Sequence, residues 1–196
     1  MSNVTDQRVR IDLPYGASME IVQEGYARAQ RLLAGLKSGG AAKKAVGRAM
    51  ARAVGSGMTE AKRAVLAEYN ISAATFAAYT QNVNHFSGDT VVFGFRGQSI
   101  PLIRFGKQNF GGAVSVSVKK GGGGGDLGRA FYQTMSGHLG IYERISQPRY
   151  PVRELYGPAT PQMMAIAGIE SSIEGKIVET FEKRIDHEIQ AILNGY

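Results

Sequence analysis

Ala130-Phe131-Tyr132-Gln133-Thr134-Met135-Ser136-Gly137-His138-Leu139-Gly140-Ile141-Tyr142-Glu143-Arg144 decides the fold of this 196-residue chain. Two runs rich in β-branched and aromatic residues flank Ser136-Gly137-His138, and that arrangement predicts a β-hairpin. Upstream of it, Thr90-Val91-Val92-Phe93-Gly94-Phe95, Ile100-Pro101-Leu102-Ile103-Arg104-Phe105 and Val114-Ser115-Val116-Ser117-Val118 also read as strands, each bounded by glycine-rich punctuation. The last alternates strictly, which places its valines on one buried face. A run of five glycines, Gly121 to Gly125, separates these strands from the hairpin.

The sequence changes character on either side of this β-rich middle. Residues 17–36 carry Met19, Val22, Tyr26, Ala29 and Leu33 at three- and four-residue spacing, with Ser18 as a cap, and predict an amphipathic helix. Residues 41–54 predict a second, alanine-rich helix that ends at Gly55-Ser56-Gly57. Thr59 and Ser72 then cap two shorter helices, over 60–69 and 73–80. Beyond a proline-bearing stretch from Pro148 to Pro161, Thr160 as N-cap and Pro161 in the first turn open one long C-terminal helix. Ile166, Ile169, Ile173, Ile177, Phe181, Ile185, Ile189 and Ile192 form a narrow apolar stripe along it. The stripe needs cover, either from the sheet of the same chain or from a neighbouring subunit. The expected fold class is therefore α+β. N-terminal helices (1–84) precede a β-rich core with the C-terminal helix (85–196), whose mostly antiparallel sheet has about four to six strands, and the whole forms one structural unit with the N-terminal helices as an extension.

Composition narrows the range of functions. Apolar content of 43% and charged content of 20% are those of a folded, soluble protein. No segment approaches the roughly 18 consecutive apolar residues that span a bilayer. The start Met1-Ser2-Asn3-Val4-Thr5-Asp6 lacks the basic and apolar regions of a secretory signal, so synthesis and folding in the cytoplasm are expected. With no cysteine, disulfides, thiolate nucleophiles, zinc–thiolate sites and iron–sulfur clusters are excluded.

Motifs for catalysis are missing as well. Gly123-Gly124-Gly125-Asp126-Leu127-Gly128 matches the glycine pattern of dinucleotide sites, but a five-glycine run satisfies it by accident, and a hairpin follows where a helix should. The run reads instead as a loop between strands, or one that orders on assembly. His85, His138 and His187 are too scattered for a metal site, and His187 lies between Asp186 and Glu188 on a charged helix face. There is no nucleophile elbow and no Walker lysine motif. The chain is expected to be a non-enzymatic protein without cofactor or metal.

Ser99-Ile100-Pro101-Leu102-Ile103-Arg104-Phe105-Gly106, then Val114-Ser115-Val116-Ser117-Val118-Lys119-Lys120-Gly121, then Ala130-Phe131 through Arg144, lead into Pro151-Val152-Arg153-Glu154-Leu155-Tyr156-Gly157-Pro158-Ala159-Thr160-Pro161-Gln162-Met163. This order resembles the minor tail protein Z family of long-tailed bacteriophages and prophages. The resemblance covers about a third of the chain in specific segments and most of it loosely; the five-glycine run departs from the family pattern. It implies a virion protein, a tail completion protein at the head-proximal neck. Such a protein would form a homo-oligomeric ring, with sixfold symmetry, around the DNA channel and would meet tail terminator and head-tail connector proteins.

Charge and residue type suggest where such contacts fall. Residues 1–84 hold 11 Lys/Arg against 6 Asp/Glu (+5), residues 85–153 hold 9 against 3 (+6), and residues 154–196 hold 3 against 7 (−4). Opposite-sign segments suit a heterologous contact that closes into a ring, although each is also what a solvated face looks like. Arg149, Arg153 and Tyr156, of types enriched at interface hot spots, lie among prolines that pre-order the chain. With Arg104, Arg144 and Leu155 they form the expected assembly interface. The competing view is that Leu155 and Tyr156 pin this connector to the core, with Arg153 and Glu154 paired or solvated. Lys43, Lys44, Arg48 and Arg52 belong to a stretch from Arg28 to Arg63 with nine Lys/Arg and one acid, Glu60. Such a surface faces solvent or an acidic partner, or contacts genomic DNA without sequence preference, so a basic nucleic-acid-binding module is the alternative function.

Overall fold

A computed structural model of the chain describes residues 8–13, 17–22, 31–32, 40–87, 90–106, 113–122, 124–135 and 137–195. The helical positions expected at Tyr26, Ala29 and Leu33 lie outside them. The architecture is α+β, with long helices and several small sheets, antiparallel wherever their register is described. No described helix is long and apolar enough to cross a membrane.

The chain begins with β1 (Arg8–Leu13) and β2 (Ala17–Val22), an antiparallel pair in register from Arg8↔Val22 to Leu13↔Ala17. This corrects the helix expected to start at residue 17. Met19 and Val22 satisfy a helical spacing, but Met19 and Ile21 alternate equally well. The register sets them opposite Ile11 and Val9, so apolar positions meet across the pair.

Helix α1 (Ala41–Glu68) runs unbroken for 28 residues through Gly55-Ser56-Gly57, where a break between two helices was expected. Its buried positions Ala45, Ala49, Met50, Ala53, Gly57 and Ala61 fall at three- and four-residue spacing and make one continuous face. The hydroxyls of Ser56 and Thr59 donate to the carbonyls of Ala53 and Gly55 within the helix. The short α2 (Ala73–Ala78) is capped as expected, by Ser72 Oγ accepting from the Thr75 amide.

Strands β3 (Thr80–Ser87) and β4 (Thr90–Gly97) pair with each other, and the sequence division at 84/85 falls inside β3. Strand β5 (Ser99–Pro101) passes into a 3-10 turn, Leu102–Arg104. The alternating Val114–Val118 segment contributes only β6 (Ser115–Val116), paired with β7 (Gly125–Asp126); Val114 and Val116 are buried, as the alternation requires. The glycine run is therefore a tight connection between two strands, with Gly122 O accepting from Ser117 Oγ at 2.8 Å.

The expected hairpin is β8 (Ala130–Met135) and β9 (His138–Arg144), in register from Met135↔His138 to Ala130↔Glu143. Gly137 turns it at φ 82°, which a side chain would resist. Strand β10 (Val152–Glu154) adds to β9, and β11 (Tyr156–Ala159) pairs with β5.

The C-terminal helix is two pieces, α3 (Thr160–Met164) and α4 (Ala167–Leu193). Thr160 is the first residue of α3 and does not serve as the cap of one long helix. Its buried hydroxyl donates to Tyr79 O at 3.1 Å and accepts from Thr80 Oγ1 at 2.8 Å. The chain re-enters helix at Ile166, whose extended backbone precedes α4.

Two interleaved compact units result. The first holds residues 1–61, 82–96 and 165–196, and its core joins the α1 face and Phe95 with the α4 stripe: Ile169, Ile173, Ile177, Phe181, Ile185 and Ile189 are all buried. The stripe finds its cover on α1. Arg48 meets Glu188, Ser56 Oγ donates to Thr180 Oγ1 at 2.8 Å, and Ser172 bonds Glu60, so the two helices run antiparallel. Gly57 is where they come closest, since a Cβ there would sit 2.5 Å from Ile177 Cγ1. The second unit, residues 62–81 and 97–164, is built around Phe76, Ile100, Phe105, Ile141, Met163 and Met164, all essentially without exposure.

Candidate functional site

The order β10-β9-β8 and its register sort the side chains of the second unit's main sheet onto two faces. One face carries His138, Gly140, Tyr142 and Arg144 from β9, Phe131, Gln133 and Met135 from β8, and Val152 and Glu154 from β10. The other carries Ile141, Glu143 and Arg153. Ile141 is fully buried, while Arg153 Nε donates to Glu143 across the strands at the exposed edge.

Glu154 organises the first face. Its Oε1 lies 2.9 Å from His138 Nε2, and its Oε2 accepts from the Tyr156 hydroxyl at 2.8 Å. Gly140 leaves the room this requires, because a Cβ there would stand 2.7 Å from Glu154 Oε1 and 2.9 Å from the Tyr142 ring. The hydrogen bond to Glu154, followed by burial, pushes the Tyr156 phenol above its ordinary pKa; burial, followed by the Glu154 charge, raises that of Tyr142. Both phenols stay protonated at neutral pH.

The same face ends in arginines and aromatics. Phe131 and Tyr142 stack with centroids 6.5 Å apart, and the Arg144 guanidinium lies 5.7 Å over the Phe131 ring. Extending the β8–β9 register by one residue sets Arg129 opposite Arg144. These two, with Phe131, Ser146 and Gln147, line an open groove of about 650 Å³. Arg149 stacks 5.9 Å over Tyr150, and Ile145 and Tyr150 are exposed beside it. Among the described residues Arg129, Arg144 and Arg149 have no acidic partner.

The expected interface residues thus divide. Arg144 and Arg149 are presented on aromatic rings, and Tyr156 exposes half its surface with its hydroxyl tied to Glu154. Arg153 is engaged by Glu143. Leu155 is a joint, its amide donating to Ile141 O at 2.8 Å and its carbonyl accepting from the Leu102 amide at 2.9 Å. Arg104 is exposed at the end of the 3-10 turn. Sequence reasoning missed Arg129, although it stands as far before the Ser136-Gly137 turn as Arg144 stands after it. The pairing of β5 with β11 also brings Ile100-Pro101 and Tyr156-Gly157 side by side, with Phe105 packed where a Gly157 Cβ would be.

In the first unit, Lys43, Lys44, Arg48 and Arg52 are exposed on α1, and Arg48 Nη1 approaches Glu188 at 3.5 Å. The acidic surplus of the C-terminal segment is less open than its count suggests. Glu179 is bonded by Lys176 at 2.9 Å and Lys183 at 2.5 Å, and these contacts hold its carboxyl at a pKa of about 2. Among the described residues, no group of three or more His, Cys, Asp or Glu is placed to hold a metal ion. Compared with protein-family models, curated proteins and solved structures, the chain finds no match.

Proposed function

We propose that this chain is a structural virion protein of a long-tailed bacteriophage, a tail completion or minor tail protein at the head-proximal neck. It would assemble through protein contacts into a ring around the DNA channel, next to the terminator and connector proteins. The observation that carries this reading is the ordered set of segments from Ser99 to Met163 that resembles the minor tail protein Z family. The exposed arginine and aromatic surface supports it, since arginine and tyrosine are the types that anchor protein interfaces.

The test is assembly. Purified protein examined by light scattering, alone and mixed with terminator and connector rings, is expected to form ordered oligomers. Deletion of its gene is expected to leave heads and tails that do not produce infectious particles. A chain that stays monomeric in every mixture and never co-purifies with virions overturns the reading.

A second reading rests on the exposed stripe Lys44, Arg48 and Arg52 on α1. It makes the chain a sequence-independent nucleic-acid binder, with duplex affinity that falls steeply with salt. Charge reversal of Lys43, Lys44, Arg48 and Arg52 together should then abolish binding; no binding at low salt rejects it.

A further inference from the structure

Strand β8 is an edge. In the order β10-β9-β8 it pairs only with β9, and antiparallel pairing leaves the N–H and C=O of every second β8 residue directed away from that partner. An open edge invites another strand, and proteins guard such edges with lysine, proline or a bulge. Ala130-Phe131-Tyr132-Gln133-Thr134-Met135 has no charge, no proline and an uninterrupted register. At its beginning lies the Arg129–Arg144 groove, where two like charges face each other across the sheet without acids of their own.

We infer that β8 accepts an extended segment of a partner protein as a fourth strand, and that an acidic end of that segment is held by Arg129 and Arg144. Two features favour a protein segment over nucleic acid. The basic residues between Gly121 and Tyr156 are all arginines, seated among Phe131, Tyr142 and Tyr150, as at protein interfaces. The open backbone edge, in turn, offers hydrogen bonds that only another strand returns in register. A second copy pairing through its own β8 fits less well, because that strand has no acid to answer the arginines. The inference rests on the reading that the chain works by protein contact, and not on its place in a phage tail.

The test uses the full chain and three fluorescein-labelled probes. Two are eight-residue peptides of alternating Thr and Val with a Glu-Glu pair, at the N-terminus in one and the C-terminus in the other. The third carries Lys-Lys in place of the acids. One Glu-ended peptide is expected to bind at least tenfold tighter than the Lys-ended one and to slow hydrogen exchange at the Phe131–Met135 amides. Arg129→Glu with Arg144→Glu, both exposed, should remove that preference, and Thr134→Pro should block uptake. Binding of neither Glu-ended peptide, binding indifferent to the arginines, or arginine-dependent binding of a DNA duplex alone would each overturn it. Oligomer formation, read separately by light scattering, reports on the proposed function whichever way the peptides behave.

Discussion

At Gly140 the sheet gives up a side chain so that Glu154 and the Tyr142 ring can close over the backbone. Glycine weakens a strand on propensity alone, so Gly140→Ala would ordinarily help slightly. Here the added methyl has to displace a carboxylate already tied to His138 and Tyr156. We expect Gly140→Ala to cost about 1–3 kcal/mol, read as a lower urea midpoint with an unchanged slope. Glu179 offers a test by titration. Its pKa is depressed to about 2 by Lys183 and Lys176, so its favourable contribution is complete above the ordinary carboxylate range and fades as pH falls from 4.5 toward 2. Because the group is exposed, salt screens it. NMR titration should find a midpoint near 2 at low ionic strength and one closer to 4.5 in about 1 M salt, where the screening length is about 3 Å.

The helix pair is the element on which sequence and structure diverge most usefully. Gly55-Ser56-Gly57 reads as a stop because glycine costs a helix about 1 kcal/mol relative to alanine. What overrides it is the approach of Ile177 to Gly57, a contact with a residue far along the chain that no local pattern records. Gly57→Leu should therefore destabilise despite leucine's better helix propensity, by about 1–3 kcal/mol in a chemical melt. Removing bulk from the other side, Ile177→Ala, should cost about 2–5 kcal/mol. The buried hydroxyl pair makes a second test. Thr160→Val leaves the Thr80 hydroxyl and Tyr79 carbonyl without a partner and should cost about 1–3 kcal/mol, with part of the loss recovered when Thr80→Val is added. The β8–β9 hairpin was legible for the opposite reason. Its turn and its β-prone flanks are adjacent in sequence, so local rules suffice, and counting outward from that turn already reaches Arg129 and Arg144. The α4 stripe was legible too, but its cover was not, because only the fold brings α1 to it. At Met19 and Val22 the sequence fitted two periods, and pairing with β1 decided between them.

For the whole molecule, the proposed ring puts the burden of contact on the arginine and aromatic surface of the second unit. Arg149→Glu combined with Tyr156→Ala is expected to abolish oligomers in light scattering while leaving the circular dichroism spectrum unchanged, since both side chains are largely exposed. Glu182→Lys, on the outward side of α4, should leave assembly intact if the C-terminal acids are answered within their own helix. A loss of oligomers with Glu182→Lys would instead restore the head-to-tail attraction that segment charges suggest.

The interleaving of the two units also sets an order on synthesis. Helix α1 leaves the ribosome complete, yet α4 follows roughly a hundred residues later, which at about 5–20 residues per second is a wait of about 5–20 seconds. For that time the α1 face stands open to water and to every other nascent chain. It is lined largely by Ala41, Ala45, Ala49, Ala53 and Ala61, so it offers little apolar surface for a wrong partner to grip. Chains arrested before Ala167 are predicted to stay dispersed in a sedimentation assay, whereas the same chains with Ala45, Ala49 and Ala53 changed to Leu should pellet. Alanine on that face lets the helix wait safely for the last segment of the chain.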